Sequence, residues 1–212
     1  MPRRSILSAA ERESLLALPE ATDELIRHYT FSESDLALIR QRRGPANRLG
    51  FAVQLCYMRY PGVMLAVDVE PFPSLLSLVA KQLKVPAEAW TDYGQRAETR
   101  REHLLELQSV FGFQPFATKH YRSSVHSLDE LAWQTDKGIV LANELVEGLR
   151  RRSVLLPSIG VIERICAEAI TRATRRIHET LSEPLSDAHR HRLDDLLKRR
   201  DNGKTTWLAW LR

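Results

Sequence analysis

The sequence predicts an all-α fold, and three observations favour it. Apolar residues recur at helical spacing along most of the 212 residues. Capping residues and prolines divide the chain into helix-length segments, beginning with a capping pattern at Ser8 and Glu11 and a stop at Pro19. Alternating β-branched runs are weak, and VMLAVDV, residues 63–69, comes nearest to a strand.

The composition is that of an ordinary folded protein, with 43% hydrophobic and 27% charged residues. No segment approaches the roughly 18 consecutive apolar residues of a membrane span, and the first residues lack a secretory signal pattern. Cys56 and Cys166 lie in apolar helical patterns, so we expect buried thiols in a reducing compartment. These features predict a cytoplasmic protein without membrane contact.

A first helical module is expected over residues 1–88. Thr22 and Ser32 stand where they can cap a second and a third helix. A turn over residues 41–44 then leads into a fourth helix, with Pro45 in its first turn, where the missing N–H costs nothing. This helix runs to about Tyr60, and one more amphipathic helix follows at residues 75–83.

The fourth helix joins a cationic start to an apolar body. Because it is apolar nearly all round, we expect it to be buried except for its first turn. Arg42, Arg43 and Arg48 surround that turn, where free backbone N–H groups and the helix dipole favour phosphate. An asparagine side chain pairs with adenine through two hydrogen bonds, so Asn47 is the candidate that reads a base edge. The helix-turn-helix-like order favours entry of this helix into the major groove of DNA.

A second helical module is expected over residues 89–180. The segment QRAETRREH places cations on one helix face and glutamates on another, which is typical of phosphate contact. The residues of the cationic face are Arg96, Thr99, Arg100 and His103, with Arg101 to one side. Further DNA-contacting candidates are Lys119, Arg122 and Arg151. The net charge of +4 favours nucleic acid over acidic partners.

A longer helix, IGVIERICAEAITRATRRIHETL, is expected to join the two small modules. Beyond it, residues 181–212 are predicted to form a charged helical connector. Because two exposed tryptophans are an unusual way to finish a domain, we expect this connector to lead into the remainder of a longer protein.

Other interpretations stay open at this point. The arginine-rich faces also fit solvated helix surfaces or contact with an acidic protein surface. A metal-dependent nuclease is a weaker alternative, because Asp187, His191 and Asp195 share one helix face but no second ligand pair accompanies them; a surface ion-pair pattern is favoured. Phosphate-cradling glycine motifs and a nucleophile elbow are missing from the sequence. The residues therefore favour a binding module over an enzyme.

Four blocks of the sequence resemble the amino-terminal region of transposases of the Tn-three family of replicative bacterial transposons. In collinear order over essentially the whole chain, they are MPRRSILSAAERESLLALP, FSESDLALIRQRRGPANRLGFAVQLCYMRYPG, YGQRAETRREHLLELQSVFGFQPF and TDKGIVLANELVEGLRRRSVLLP.

The resemblance implies sequence-specific binding of double-stranded DNA at terminal inverted repeats, by tandem helix-turn-helix-like modules acting on the bacterial nucleoid. It also implies that Mg²⁺ and an Asp-Asp-Glu triad belong to a catalytic domain that has no counterpart in these residues, so we expect no catalytic residue, metal or cofactor here. Self-association of the full-length transposase is a further implied possibility. An assembly module with non-specific DNA contact is the alternative.

Overall fold

A computed structural model describes residues 6–66, 69–94, 97–199 and 205–210. Within these ranges the chain forms twelve α-helices and one short 3₁₀ helix, which confirms the all-α prediction. The described part of VMLAVDV, residues 63–66 and 69, is not in a strand. The α-helices are α1 (Ala9–Leu15), α2 (Thr22–Tyr29), α3 (Glu33–Arg40), α4 (Gly44–Arg59), α5 (Pro73–Leu83), α6 (Ala97–Phe111), α7 (Thr118–Ser127), α8 (Asp129–Gln134), α9 (Gly138–Arg151), α10 (Ile159–Ser182), α11 (Asp187–Leu197) and α12 (Trp207–Trp210), and the 3₁₀ helix spans Ala87–Asp92.

Most of the capping residues and first-turn prolines predicted from the sequence lie at helix starts in the structure. Ser8 caps α1 and Ser32 caps α3. Each serine hydroxyl accepts a hydrogen bond from the backbone N–H of the third helical residue, and the carboxylate of that residue accepts one from the serine N–H. Gly44 has φ +78°, a conformation that favours glycine, and Pro45 follows it in the first turn of α4. The prediction that Thr22 caps α2 is wrong, because the extended residue before the helix is Ala21 and Thr22 is already helical.

Helix α4 is the centre of the first hydrophobic core. Every residue from Leu49 to Met58 is buried, as the apolar wheel predicts. Helices α2, α3, α5 and α6 and the 3₁₀ helix surround it. Contact is closest at Gly50, where a Cβ atom would lie 2.1 Å from the Tyr93 ring. Glycine is therefore needed at this position for packing rather than for its backbone freedom.

A partly buried ion pair joins α3 to the end of α4. Arg59 donates two hydrogen bonds to the Asp35 carboxylate, at 2.9 and 2.7 Å, and its guanidinium lies 5.1 Å from the centroid of the Phe111 ring. Burial acts to raise the pKa of Asp35, but the hydrogen bonds from Arg59 and Ser32 outweigh it and hold the pKa below its ordinary value. The charged form of Asp35 is therefore the one that the fold stabilises.

The second hydrophobic core lies among α1, α7, α8, α9 and α10. Arg12 of α1 donates to both carboxylate oxygens of Glu163 in α10. Each core draws residues from both sides of residue 88: Trp90 and Leu107 belong to the first, and Leu7 belongs to the second. The division of the chain into two modules at residue 88 stays a prediction. The two cores show which helices pack together.

Direct contacts also join the two cores. The Nε of Arg150 donates to the Pro61 carbonyl at 2.8 Å, and the Leu156 N–H donates to the Gly62 carbonyl at 2.7 Å. Burial along α10 ends at Ala173, and no described residue of α11 is buried. The last turn of α10, residues 178–182, and α11 therefore project from the packed part of the molecule.

We predict that Gly50→Ala destabilises the protein by about 1 to 3 kcal/mol, the usual cost of an overpacked core. The Tyr93 ring has little room to move, because Trp90 and His103 lie against it at centroid distances of 5.3 and 5.7 Å. Gly160→Ala is the matched control, since apart from its chain neighbours and the backbone of its own helix no atom lies within 4 Å of the added methyl group. Urea denaturation measures both variants; a Gly50→Ala protein as stable as the wild type contradicts the packing described here.

We also predict that Asp35→Asn costs about 3 kcal/mol near neutral pH, because Arg59 loses its buried partner. The folded-state pKa of Asp35 is depressed, so its stabilisation is present above the ordinary pKa of about 3.9 and is lost as the pH falls through the folded value. The difference in unfolding free energy between wild type and variant should therefore shrink below about pH 4. A difference that stays constant from pH 7 to pH 2.5 contradicts this assignment.

Candidate nucleic-acid interface

The α3–α4 turn, residues 41–43, presents the start of a buried helix to solvent. Helix α3 ends at Arg40 and α4 begins at Gly44, so the predicted order of helix, short turn and helix is confirmed. No acidic residue lies in the first turn of α4. The positive end of the helix dipole is therefore not offset by a carboxylate in that turn.

Three side chains form what we call the turn surface: Arg43, Asn47 and Arg48. Arg43 is exposed, and within the described part of the chain its side chain makes no hydrogen bond or ion pair. Arg48 is half-buried, and its Nε donates to the carbonyl of Arg42 at 3.0 Å. The turn surface thus carries two cations without a carboxylate partner among the described residues.

Asn47 stabilises the turn through a hydrogen bond to its backbone. Its Nδ2 donates to the carbonyl of Arg43 at 3.0 Å. A bidentate contact to adenine uses both the amide nitrogen and the amide oxygen, so Asn47 has to release this carbonyl to read a base in that way.

Arg42 does not share the exposure of Arg43. Its side chain is 19% exposed; Nη1 lies 2.6 Å from Oε2 of Glu106, and the guanidinium lies 5.1 Å from the centroid of the Phe51 ring. The expectation that Arg42 lies on the open first turn with the other two arginines is therefore wrong. An acid 64 residues away along the chain and an aromatic ring of α4 hold it inward.

The predicted cationic face of α6 points into the first core. Arg100 and His103 are each 6% exposed, and Thr99 is half-buried. Arg100 lies over the rings of Trp90 and Tyr93 at 5.6 and 5.3 Å and donates to the Ala66 carbonyl. The interpretation of this face as exposed is wrong, because these residues share the stripe of Leu104, Leu107 and Phe111 that packs against α4.

The surroundings of His103 fit a neutral, buried side chain. Burial lowers its pKa, and the nearby Arg42 charge lowers it further. Arg101 is exposed to one side of the face that carries His103. Arg96 lies outside the described residues. Of the α6 candidates that the structure describes, Arg101 alone is well exposed.

A second group of cations forms at the start of α7. Gln114 and Val154 pair as a parallel bridge, with Gln114 N–H donating to the Ser153 carbonyl at 2.8 Å, which brings the end of α9 beside the start of α7. Burial lowers the pKa of His120, and the charges of Lys119 and Arg152 lower it further. We call Lys119, Arg122 and Arg152 the α7 surface; all three are exposed.

Arg152 is the member of this group that the sequence analysis did not select. The run Arg150–Arg152 was the available signal, but it cannot show which arginine points where. Arg151, which was selected, lies 2.8 Å from Glu144 on its own helix. Arg150 turns inward to Pro61 and Tyr60. Arg152 is exposed, its Nε donates to the Gly148 carbonyl of α9, and its charge acts on His120 of α7.

Helix α11, which carries the metal-ligand candidates Asp187, His191 and Asp195, makes the contacts of a surface helix. Asp195 lies 2.6 Å from Lys198, and His191 contacts the backbone carbonyl of Asp187. Across the described ranges, no group of three or more His, Cys, Asp or Glu residues has an arrangement that could hold a metal ion.

A membrane-crossing helix would need more length and apolar character than any helix has in the part of the chain that the structure describes.

Comparison with known proteins agrees with the resemblance drawn from the sequence blocks. The family described as "Domain of unknown function (DUF4158)" matches residues 6–169. The transposase for transposon Tn21 of Escherichia coli is 72% identical over 212 residues, the whole of this chain and 22% of that protein. The transposase for transposon Tn501 of Pseudomonas aeruginosa is 55% identical, and that for Tn1546 of Enterococcus faecium is 32% identical.

These relatives are much longer than the chain, which spans about a fifth of their length. High identity over the whole chain confirms the resemblance to the amino-terminal region of Tn-three family transposases. From the family match over residues 6–169, the chain belongs to the DUF4158 family, in a form that occurs within transposases.

Proposed function

We propose that this chain binds double-stranded DNA at the terminal inverted repeats of a transposon, as the recognition part of a transposase. The observation that carries the proposal is the turn surface, where Arg43 and Arg48 flank the exposed start of α4 and the first turn contains no acid. Phosphate is the partner that such a helix start favours, because free N–H groups and the dipole add to the arginine charges.

In the proposed complex, the two arginines fix the position of the protein on the DNA backbone. The terminal guanidinium nitrogens of Arg48 remain available while its Nε holds the Arg42 carbonyl. Arg43 has no protein partner to give up among the described residues. Asn47 is the proposed base reader, which exchanges its bond to the Arg43 carbonyl for an adenine edge.

The α7 surface is proposed as a second phosphate contact. Lys119 and Arg122 are three residues apart on α7, so they share a face, and Arg152 joins them from the end of α9. The two surfaces lie on one chain, so contact at one raises the effective concentration at the other. Modest contacts at each can then give a stable complex.

Recognition rather than chemistry is the role proposed for these residues. The relatives are transposases, and the chain spans about a fifth of their length. The Asp-Asp-Glu triad and its Mg²⁺, which the family resemblance implies, are proposed to lie elsewhere in the full-length protein. The proposed setting is the bacterial cytoplasm, on nucleoid DNA.

A protein-assembly module is the second candidate, and an exposed cleft favours it. The cleft has a volume of about 230 Å³ and lies between α8 and α10. Trp133 is 41% exposed at this cleft, with Arg176 at 5.1 Å from its ring centroid. Tryptophan and arginine are enriched at the centres of protein interfaces. Asp129 and Glu179 also line the cleft, so its charge is mixed and less suited to phosphate.

A binding titration tests the proposed function. Fluorescence anisotropy compares a labelled duplex of the transposon end with a scrambled duplex of equal length and composition, at several matched salt concentrations. We expect at least about a thousandfold preference for the end, with an affinity that falls steeply as salt rises. Equal affinity for the two duplexes at matched salt contradicts terminal-repeat recognition and favours the assembly module.

We predict that Arg43→Ala and Arg48→Ala each reduce the slope of log affinity against log salt by about one, as the loss of one phosphate contact requires. Arg27→Ala is the matched control, because Arg27 is an exposed arginine of α2 outside both surfaces. The control should keep the wild-type slope. If all three variants behave alike, general charge rather than the turn surface accounts for binding.

A further inference from the structure

Glu106 places a carboxylate directly behind the proposed DNA contact. Its Oε2 lies 2.6 Å from Nη1 of Arg42, in the turn that carries Arg43. A carboxylate close to a phosphate-binding surface should weaken binding by charge repulsion. The position of Glu106 therefore needs an explanation other than direct contact with DNA.

Two contacts in series run from Glu106 to the turn surface. Glu106 holds the Arg42 guanidinium, which also lies against the fully buried Phe51 ring. The carbonyl of Arg42 accepts a hydrogen bond from Nε of Arg48. Through these contacts, the ion pair between Arg42 and Glu106 of α6 fixes both the turn backbone and the direction of the Arg48 side chain.

We infer that Glu106 is a positioning residue for DNA binding that acts through Arg42 without touching DNA. The inference rests on the proposed function for its consequence, while its structural basis is the ion pair between α6 and the turn. The pair is partly shielded from water, with Arg42 19% and Glu106 32% exposed, and Nε of Arg42 is buried without a hydrogen-bond partner in the described structure.

The direction in which DNA affinity changes when the charge of Glu106 is removed distinguishes a positioning role from simple charge repulsion. Glu106→Gln removes a negative charge, so simple electrostatics predicts tighter DNA binding. Positioning predicts the reverse for the transposon end: about tenfold weaker binding, the loss expected for one charge-assisted hydrogen bond, with no loss of affinity for scrambled DNA. Glu102→Gln is the matched control, an exposed glutamate one turn earlier on α6 whose replacement should not weaken binding.

A double-substitution cycle tests whether the two side chains act as one. Arg42→Met keeps an apolar stem against Phe51 and removes the guanidinium. We expect it to weaken binding to the end as much as Glu106→Gln does, with the double variant no weaker than either single one. The salt slope should stay at the wild-type value. A slope reduced by about one would show that Arg42 itself contacts a phosphate and would overturn the inference.

Amide hydrogen exchange of the free protein provides a readout that does not depend on DNA. The Gln41 and Arg42 amides donate to the carbonyls of Leu38 and Ile39. In Glu106→Gln these amides should exchange faster, while amides of the second core, such as Leu145, keep the wild-type rate. Unchanged exchange in the turn together with unchanged end binding overturns the inference.

The two proposals can fail separately. Wild-type protein that binds scrambled DNA as tightly as the end contradicts the proposed function, whatever Glu106 does. Wild-type preference for the end, kept in full by Glu106→Gln, contradicts only the positioning role.

Discussion

The complete burial of helix α4 is the constraint on which the rest of the molecule depends. Over residues 49–58 the helix has no side open to water, so it meets solvent only at its two ends. The surrounding helices can enclose it only with close contacts such as Gly50 against the Tyr93 ring. The same enclosure holds the first turn of α4 in one place, which is what a recognition surface requires, because ordering it on binding then costs little.

An arginine, an acid and a phenylalanine ring hold each end of this helix. At the start, Arg42 contacts Glu106 and Phe51; at the end, Arg59 contacts Asp35 and Phe111. In both sets the acid comes from a different helix, so these ion pairs fix α3 and α6 against α4. Several arginines thus serve the fold, and net charge alone does not show which cations face a partner. The proposed DNA surfaces consist of cations that take no part in these ion pairs, chiefly Arg43, Arg48 and the α7 surface.

Local sequence signals predicted the elements well because capping and proline geometry act within a few residues. Ser8, Ser32 and Pro45 lie where the pattern placed them, and the apolar wheel of α4 predicted its burial. The candidate site was predicted less well, because orientation depends on distant residues. Arg100 and His103 do share a helix face, but Leu104 and Leu107 continue that face into the core, a spacing that the sequence already contained. The Glu106 partner of Arg42 and the backbone bridge that brings Arg152 to α7 join distant segments, and a single sequence gives no signal for either.

The central claim is that the turn between α3 and α4 faces DNA, and site-directed cross-linking tests it most directly. Both native cysteines are buried, so a photoreactive group can be attached selectively at Arg43→Cys, with Arg27→Cys as the exposed control on α2, outside both proposed surfaces. The account predicts that the group at position 43 cross-links to a fixed nucleotide of the transposon end and gives no fixed position on scrambled DNA. Weak cross-linking at position 43, no stronger than at position 27 and without a preferred nucleotide, would contradict it.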